Sequence, residues 1–348
     1  MDYKKQSFLG ENITDWTQSI RRGYALSFII SSFHICGVFD ELKNLKKITS
    51  DEIALKLKLN KNILESGLNF MVHSDNSLKK EGKFYFMTEI GLKRLYSDQA
   101  RAMSLGAVGA YHILLTNFTD TLKNKKEYGK DFIRDGKLVA ESSVLTGRTN
   151  YPWVANKLAE LKVDTVIDLG CGSGDIIIDF CKRQNSFKGI GLDISEGAVS
   201  LAKENVKKNN LNDRIEIILG DMLDPKSYSD KISSKGEKVA FNAIMALHEF
   251  LIDGREAVID VLRKMKKEFA GSYFILGEYK KCSDEEFQNI PIYERMHMLF
   301  YQEIIHRLTN QRLAFLNEWI DIFKDSDVEL IEYKDDFNFR LVEYVLKF

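Results

Sequence analysis

A chain of 348 residues is long enough to bury a full core and to divide into two domains. Its 44% hydrophobic and 29% charged residues are those of an ordinary globular protein, and a formal net charge of -1 gives no electrostatic case for nucleic acid. Four cysteines, Cys36, Cys171, Cys181 and Cys282, lack C-x-x-C spacing, so they suggest neither a disulfide framework nor a zinc site and point to a reduced cytoplasm.

The first stretch, MDYKKQSFLGENITDW, has no apolar signal core, and the longest apolar run, ALSFIISSF, is too short to cross a bilayer. Neither secretion nor a membrane partner is expected. Apolar residues recur at helical spacing from Asp15 to Phe39, with Gly37 as the stop. ITSDEIALKLKLN gives capping residues and a short amphipathic helix, NKNILESGLNFMVHSDN a second helix, and KKEGKFYFMTEIGLKRL a hairpin. Helix, helix, wing is the order of a winged helix. Its second helix, Lys61 to His73, is apolar and barely basic, which disfavours a DNA reader. LGAVGAYHILLTNFTDTLK then reads as one apolar helix whose Gly106, Ala107, Gly109 and Ala110 permit close packing or leave room for a ligand. Arg148, Asn150 and Tyr151 follow, just before the helix that leads into the next strand.

From Val163 to Asp193 the chain reads strand, glycine-rich turn, helix, strand. Val163, Val166, Ile167 and Leu169 form a short apolar run of the kind buried on both faces of a sheet, and Asp168 stands at its end. Gly170, Gly172 and Gly174 let the backbone approach a bound molecule, and the helix after them turns its unpaired N–H groups toward it. KGIGLD is a second strand ending in Asp193, roughly 20 residues past the glycines and placed to accept ribose hydroxyls. The dinucleotide spacing G-x-G-x-x-G fails for want of its third glycine.

The string DLGCGSG resembles motif I of class I S-adenosylmethionine (SAM)-dependent methyltransferases. RIEIILGDML, KVAFNAIMALHEF, GSYFILGEYK and the C-terminal Asp327–Phe348 follow in that family's order of third, fourth and fifth strands and closing antiparallel hairpin. The whole chain is similar to the plant-type and antibiotic-pathway O-methyltransferases. The resemblance implies an α/β, Rossmann-like seven-stranded SAM-binding domain over residues 153–348. A mainly helical winged-helix dimerisation domain over 1–96 and a helical connector over 97–152, lining the substrate cavity, precede it. A homodimer, a small-molecule acceptor and no nucleic-acid partner go with it. By the same resemblance SAM meets Asp168, Gly170, Gly172, Gly174, Asp193, Ile194, Asp221, Met222 and Arg148, while Tyr111, Asn150, Tyr151 and His297 face the acceptor.

Methyl transfer to a hydroxyl needs an aligned nucleophile and a base to take its proton. His248 in MALHEF matches the family's base, and Glu278 matches the first of two acids that flank it. The second position departs, since Gln311 stands before Arg312 in TNQRLAFLNEW. Other SAM chemistry therefore stays open: iron-assisted C-methylation of a 2-keto acid, cyclisation of SAM, or a SAM-binding winged-helix regulator. In the iron reading one residue of the pairs Glu294/His297 and Glu303/His306, each pair at i, i+3 on one helix, would hold the ion together with His248, and their ordinary meaning is a solvated or salt-bridged helix face. No metal site is expected.

Overall fold

The computed structural model describes residues 13–44, 47–148, 150–233, 238–336 and 341–348. It divides into two compact units, Met1–Thr146 and Gly147–Phe348.

The first unit opens on α1 (Ile13–Ile35) and α2 (Val38–Asn44), separated at Gly37 in the left-handed region (φ +76°). β1 (Ile48–Thr49), α3 (Ser50–Leu57), α4 (Lys61–Ser74), β2 (Leu78–Glu81) and β3 (Phe84–Met87) follow, with the strands in the order β1-β3-β2 and all pairs antiparallel. α3 starts on a capping box between Thr49 and Glu52. A Cβ on Gly67 of α4 would stand 2.7 Å from the Phe33 ring of α1, so these two helices meet at a residue without a side chain. The expected hairpin over KKEGKFYFMTEIGLKRL ends at Met87. Thr88 accepts the Gly91 N–H and so caps a new helix, α5 (Glu89–Leu95).

The expected single helix over LGAVGAYHILLTNFTDTLK is also broken. After α6 (Asp98–Ala102) the residues Met103–Ala110 wind as a wider π-helix, then come α7 (His112–Thr116), α8 (Phe118–Leu122) and α9 (Gly136–Gly147). The small residues serve packing: a Cβ on Gly109 would lie 3.2 Å from Ser31 Oγ, and that hydroxyl donates to Ser104 O at 2.7 Å inside the core.

The second unit holds α10 (Tyr151–Glu160), β4 (Thr165–Leu169), α11 (Asp175–Arg183), β5 (Lys188–Asp193), α12 (Glu196–Lys208), β6 (Ile215–Leu219), α13 (Lys226–Ser233) and β7 (Val239–Ile244). A 3₁₀ segment (Leu247–Asp253), α14 (Arg255–Glu268), β8 (Tyr273–Tyr279), α15 (Asp284–Asn289) and α16 (Ile292–Leu299) come next. A π-helical stretch (Phe300–Ile305), α17 (His306–Leu308), α18 (Leu316–Asp325), β9 (Glu329–Asp336) and β10 (Leu341–Lys347) complete it. The seven strands run β6-β5-β4-β7-β8-β10-β9, parallel from β6 to β8, with β10 antiparallel to both neighbours. This is the expected seven-stranded sheet with its closing hairpin.

Period-two alternation sorts β4 between two cores. Ile167 and Leu169 join the cluster built with α13, α14 and α18, whereas Val166 joins that of α10, α11 and α12. Gly191 of β5 is required by closeness, because a Cβ there would sit 2.6 Å from Ile217 and 2.9 Å from Cys171 Sγ. The strand order reverses between β4 and β7, and ligands of open α/β sheets bind at the carboxyl ends of strands at such a point. Among the described residues no single helix is long and apolar enough to cross a membrane.

Candidate active site

The carboxyl end of β4 places Asp168 in the interior, 1% exposed. Its Oδ1 accepts Asn242 Nδ2–H at 2.8 Å, while Oδ2 is buried with no hydrogen-bond partner. Burial pushes the carboxyl up to about 7; the Asn242 bond opposes this and the Asp193 charge adds to it. Beyond it the turn runs through Gly170 (φ +73°) and Gly172 (φ +52°), and a Cβ on either would meet nothing within 4 Å. The glycines thus serve a left-handed backbone and leave open space in front of it. α11 begins at Gly174 without a side-chain cap, so the N–H groups of its first turn keep their capacity for a ligand.

Asp193 closes β5 with both oxygens accepting backbone N–H groups. Oδ2 accepts the Gly172 N–H at 2.9 Å and Oδ1 accepts the Ser195 N–H at 2.9 Å, which pins the carboxylate against the glycine turn. Ile194 beside it is 71% exposed. Just past β6, Asp221 Oδ1 accepts the Leu223 N–H at 2.9 Å, and Met222 is half-buried. Three acids therefore stand at or just past the carboxyl ends of three adjacent parallel strands. One of them offers an orphaned oxygen. The set is chemically suited to the expected SAM site, with a half-satisfied buried carboxylate at Asp168 and Asp193, Ile194, Asp221 and Met222 at the neighbouring strand ends.

At the ends of β7 and β8 the chemistry changes. Met245 adopts φ +56°, an uncommon conformation for a residue with a side chain, while its N–H is held by Gly277 O at 2.7 Å. The reversal aims three successive N–H groups at one atom. Glu278 Oε1 accepts from Ala246 (3.1 Å), Leu247 (2.6 Å) and His248 (3.4 Å). Its Oε2 accepts His248 Nδ1–H at 2.7 Å, and neither side chain reaches solvent to any extent. With Nδ1 carrying the proton, Nε2 of the neutral ring is the basic nitrogen.

A second imidazole lies against the first. His306, 4% exposed, has its ring centre 5.3 Å from that of His248, with Tyr279 edge-on to both at 5.6 and 6.1 Å. Its Nδ1–H donates to Tyr301 O at 2.6 Å across the π-helical stretch. The helix expected to run through this region is interrupted there, so the i, i+3 geometry assumed for Glu303 and His306 does not hold. Glu303 instead accepts from Gln302 and pairs with Arg307 at 3.9 Å. The Glu294 side chain lies outside the described residues, and among those described no three His, Cys, Asp or Glu gather as metal ligands.

Gln311, the departure from the expected acid pair, does not reach His248. It donates to Glu249 Oε1 at 2.8 Å and accepts from Thr309. Of the remaining expected residues, Asn150 and Tyr151 are buried at the start of α10, Arg148 is exposed, and His297 is exposed with its ring 4.9 Å from Tyr301. Tyr111 belongs to the first unit, buried, with Arg134 donating to its hydroxyl at 3.4 Å. Asn242 and Tyr279 are what reading the sequence missed, and His306 had been set with His248 only as a ligand in the iron reading. An asparagine inside the apolar strand VAFNAI was the available signal, because a buried amide needs a partner.

Residues 161–313 match the family model described as a methyltransferase domain. Among solved structures, human N-acetylserotonin methyltransferase in complex with SAM superposes with a TM-score of 0.71 over 98% of this chain and 99% of its own, at 15% identity. Mitomycin 7-O-methyltransferase gives 0.70 over 96% and 97%, at 14% identity. A curated relative, the U6 small nuclear RNA (adenine-(43)-N(6))-methyltransferase of Drosophila pseudoobscura pseudoobscura, is 37% identical over 99 residues, 28% of this chain and 31% of its own. The chain covers 20% to 63% of the length of the first curated relatives it matches.

Proposed function

We propose that this chain, whose residues 161–313 match the family model of a methyltransferase domain, is a class I SAM-dependent methyltransferase that methylates a hydroxyl of a small aromatic or conjugated metabolite. The observation that carries the reading is the buried Glu278–His248 pair. Glu278 receives four N–H groups, three from the backbone and one from the imidazole, so it holds the ring in one tautomer and one orientation. His248 Nε2 then takes the acceptor's hydroxyl proton, and the imidazolium formed is stabilised by Glu278 through Nδ1–H. SAM, when bound, supplies an electrophilic methyl group on a sulfonium. Asp168, Asp193 and Asp221 hold its polar ends, and the acceptor oxygen has only to be aligned and desolvated.

One feature of the first unit supports a homodimer. α1 exposes Trp16, Ile20 and Tyr24 at four-residue intervals, an apolar stripe suited to a second copy. The test of function is direct: incubate the protein with SAM and a panel of phenolic metabolites and follow the products by mass. A methylated product with S-adenosylhomocysteine supports the proposal. Methylthioadenosine in its place would indicate cyclisation, and activity confined to 2-keto acids with added iron would indicate C-methylation.

A further inference from the structure

The glycine turn is held from two sides. From β5, Leu192 O accepts the N–H groups of Gly170 (2.8 Å) and Cys171 (2.9 Å), and the Asp193 carboxylate accepts that of Gly172 at 2.9 Å. From α12, Asn205 Nδ2–H donates to Ser173 O at 3.0 Å, a bond between residues 32 apart in the chain. Ala202, one turn earlier on the same face of α12, is fully buried and meets Gly174, where an added Cβ would lie 3.3 Å from the Ala202 Cβ. The helix therefore touches the turn at two successive residues, once by packing and once by a hydrogen bond.

These ties close a ring. α12 begins just past Asp193, its start is capped by the Ser195 hydroxyl, which accepts the Ala198 N–H at 3.4 Å, and Val199, Ala202 and Val206 pack in the core it shares with α11. One segment thus grips the turn at Gly172 through the Asp193 side chain and at Ser173 through Asn205. Asparagine is a poorer helix former than leucine or alanine, so the middle of α12 gains little from it, and the Ser173 bond is what its amide supplies. A turn with Gly172 at φ +52° and Gly174 at φ +78° has wide backbone freedom unless it is held, and a receptor ordered before its ligand arrives binds more tightly than one ordered on binding. We propose that Asn205 is a positioning residue for the cofactor: it fixes the glycine turn relative to Asp193 without touching the cofactor itself. This deepens the SAM reading and rests on it.

The test measures S-adenosylhomocysteine affinity by calorimetry and ligand-free melting temperature on the full chain. Asn205→Leu and Asn205→Asp both remove the donor, one without charge and one with it, and each should weaken binding by about 10-fold. The melting temperature of Asn205→Leu should hold or rise, because leucine is the better helix former. A double-mutant cycle with Asp193→Asn adds a readout that a purely structural role would not move. Both grips act on one turn, so the combined loss should fall short of the product of the single losses by about threefold or more. Unchanged affinity with a lowered melting temperature would make Asn205 a structural residue only and overturn the proposal. So would single losses that simply multiply, or a loss confined to Asn205→Asp, which would be an effect of charge. If the wild type does not bind S-adenosylhomocysteine, the cofactor reading itself fails, which is a distinguishable result.

Discussion

Asp168 and Glu278 end strands on either side of β7 in one sheet, both are almost inaccessible, and they are built for opposite purposes. Glu278 is satisfied from within, its two oxygens receiving four N–H groups. Asp168 receives one bond on one oxygen and none on the other. A fully satisfied buried carboxylate is a structural brace that orients its neighbour; a half-satisfied one is stabilised only when something from outside arrives. On the proposed function, the cofactor end of the sheet has bonding capacity left for its ligand, while the base end is preorganised.

The largest expected effect falls on the base end. His248→Ala should cut turnover by about 10²–10⁴ with SAM affinity intact, and the loss should shrink as pH approaches the acceptor's own pKa. Kinetics of both proteins across pH check this; an active mutant with an unchanged profile would remove His248 from the mechanism. Next, Glu278→Ala strips partners from three backbone N–H groups and the imidazole, and should cost about 3–5 kcal/mol in chemical denaturation.

At the cofactor end, Asp193→Ala should weaken SAM binding by roughly 1–3 kcal/mol, since buried ribose hydroxyls lose their acceptor. pH sharpens the contrast further. Asp168 titrates at about 7 when folded against an ordinary 3.8, so between those values the folded state binds the extra proton. Ligand-free stability should therefore be highest below this window and fall as pH rises through it. Affinity for SAM should move the other way, rising until the carboxyl is ionised. Melting curves and calorimetry over that range read both slopes. Gly191→Ala should cost about 1–3 kcal/mol of stability in chemical denaturation, through overpacking against Ile217 and Cys171.

The contrast between the two ends also explains what the sequence made legible. Strand-terminal acids after apolar runs, with glycines between them, are local patterns, and Asp168, Asp193, Asp221 and Glu278 could be placed from spacing together with family resemblance. The hydrogen bond to Asp168 Oδ1 comes from Asn242, 74 residues away. That is not a local relation. His306 meets His248 just after the helix widens into a π turn, a change of winding that side-chain periodicity does not announce. Gln311 shows the reverse case: its departure from the family pattern was plain, but only the structure gives its actual partner, Glu249.

The division of labour between the two carboxylates is tested most directly by one crossed experiment. Asp168→Asn and Glu278→Gln are each measured for S-adenosylhomocysteine affinity by calorimetry and for ligand-free melting temperature. Asp168→Asn should lose affinity by about 10-fold or more while its melting temperature holds or rises, because a buried, poorly paired carboxyl is replaced by a neutral amide. Glu278→Gln should lower the melting temperature, since its amide replaces one acceptor with a donor facing N–H groups, and leave affinity nearly unchanged. The opposite pattern, with affinity lost at Glu278 and stability lost at Asp168, would contradict the account.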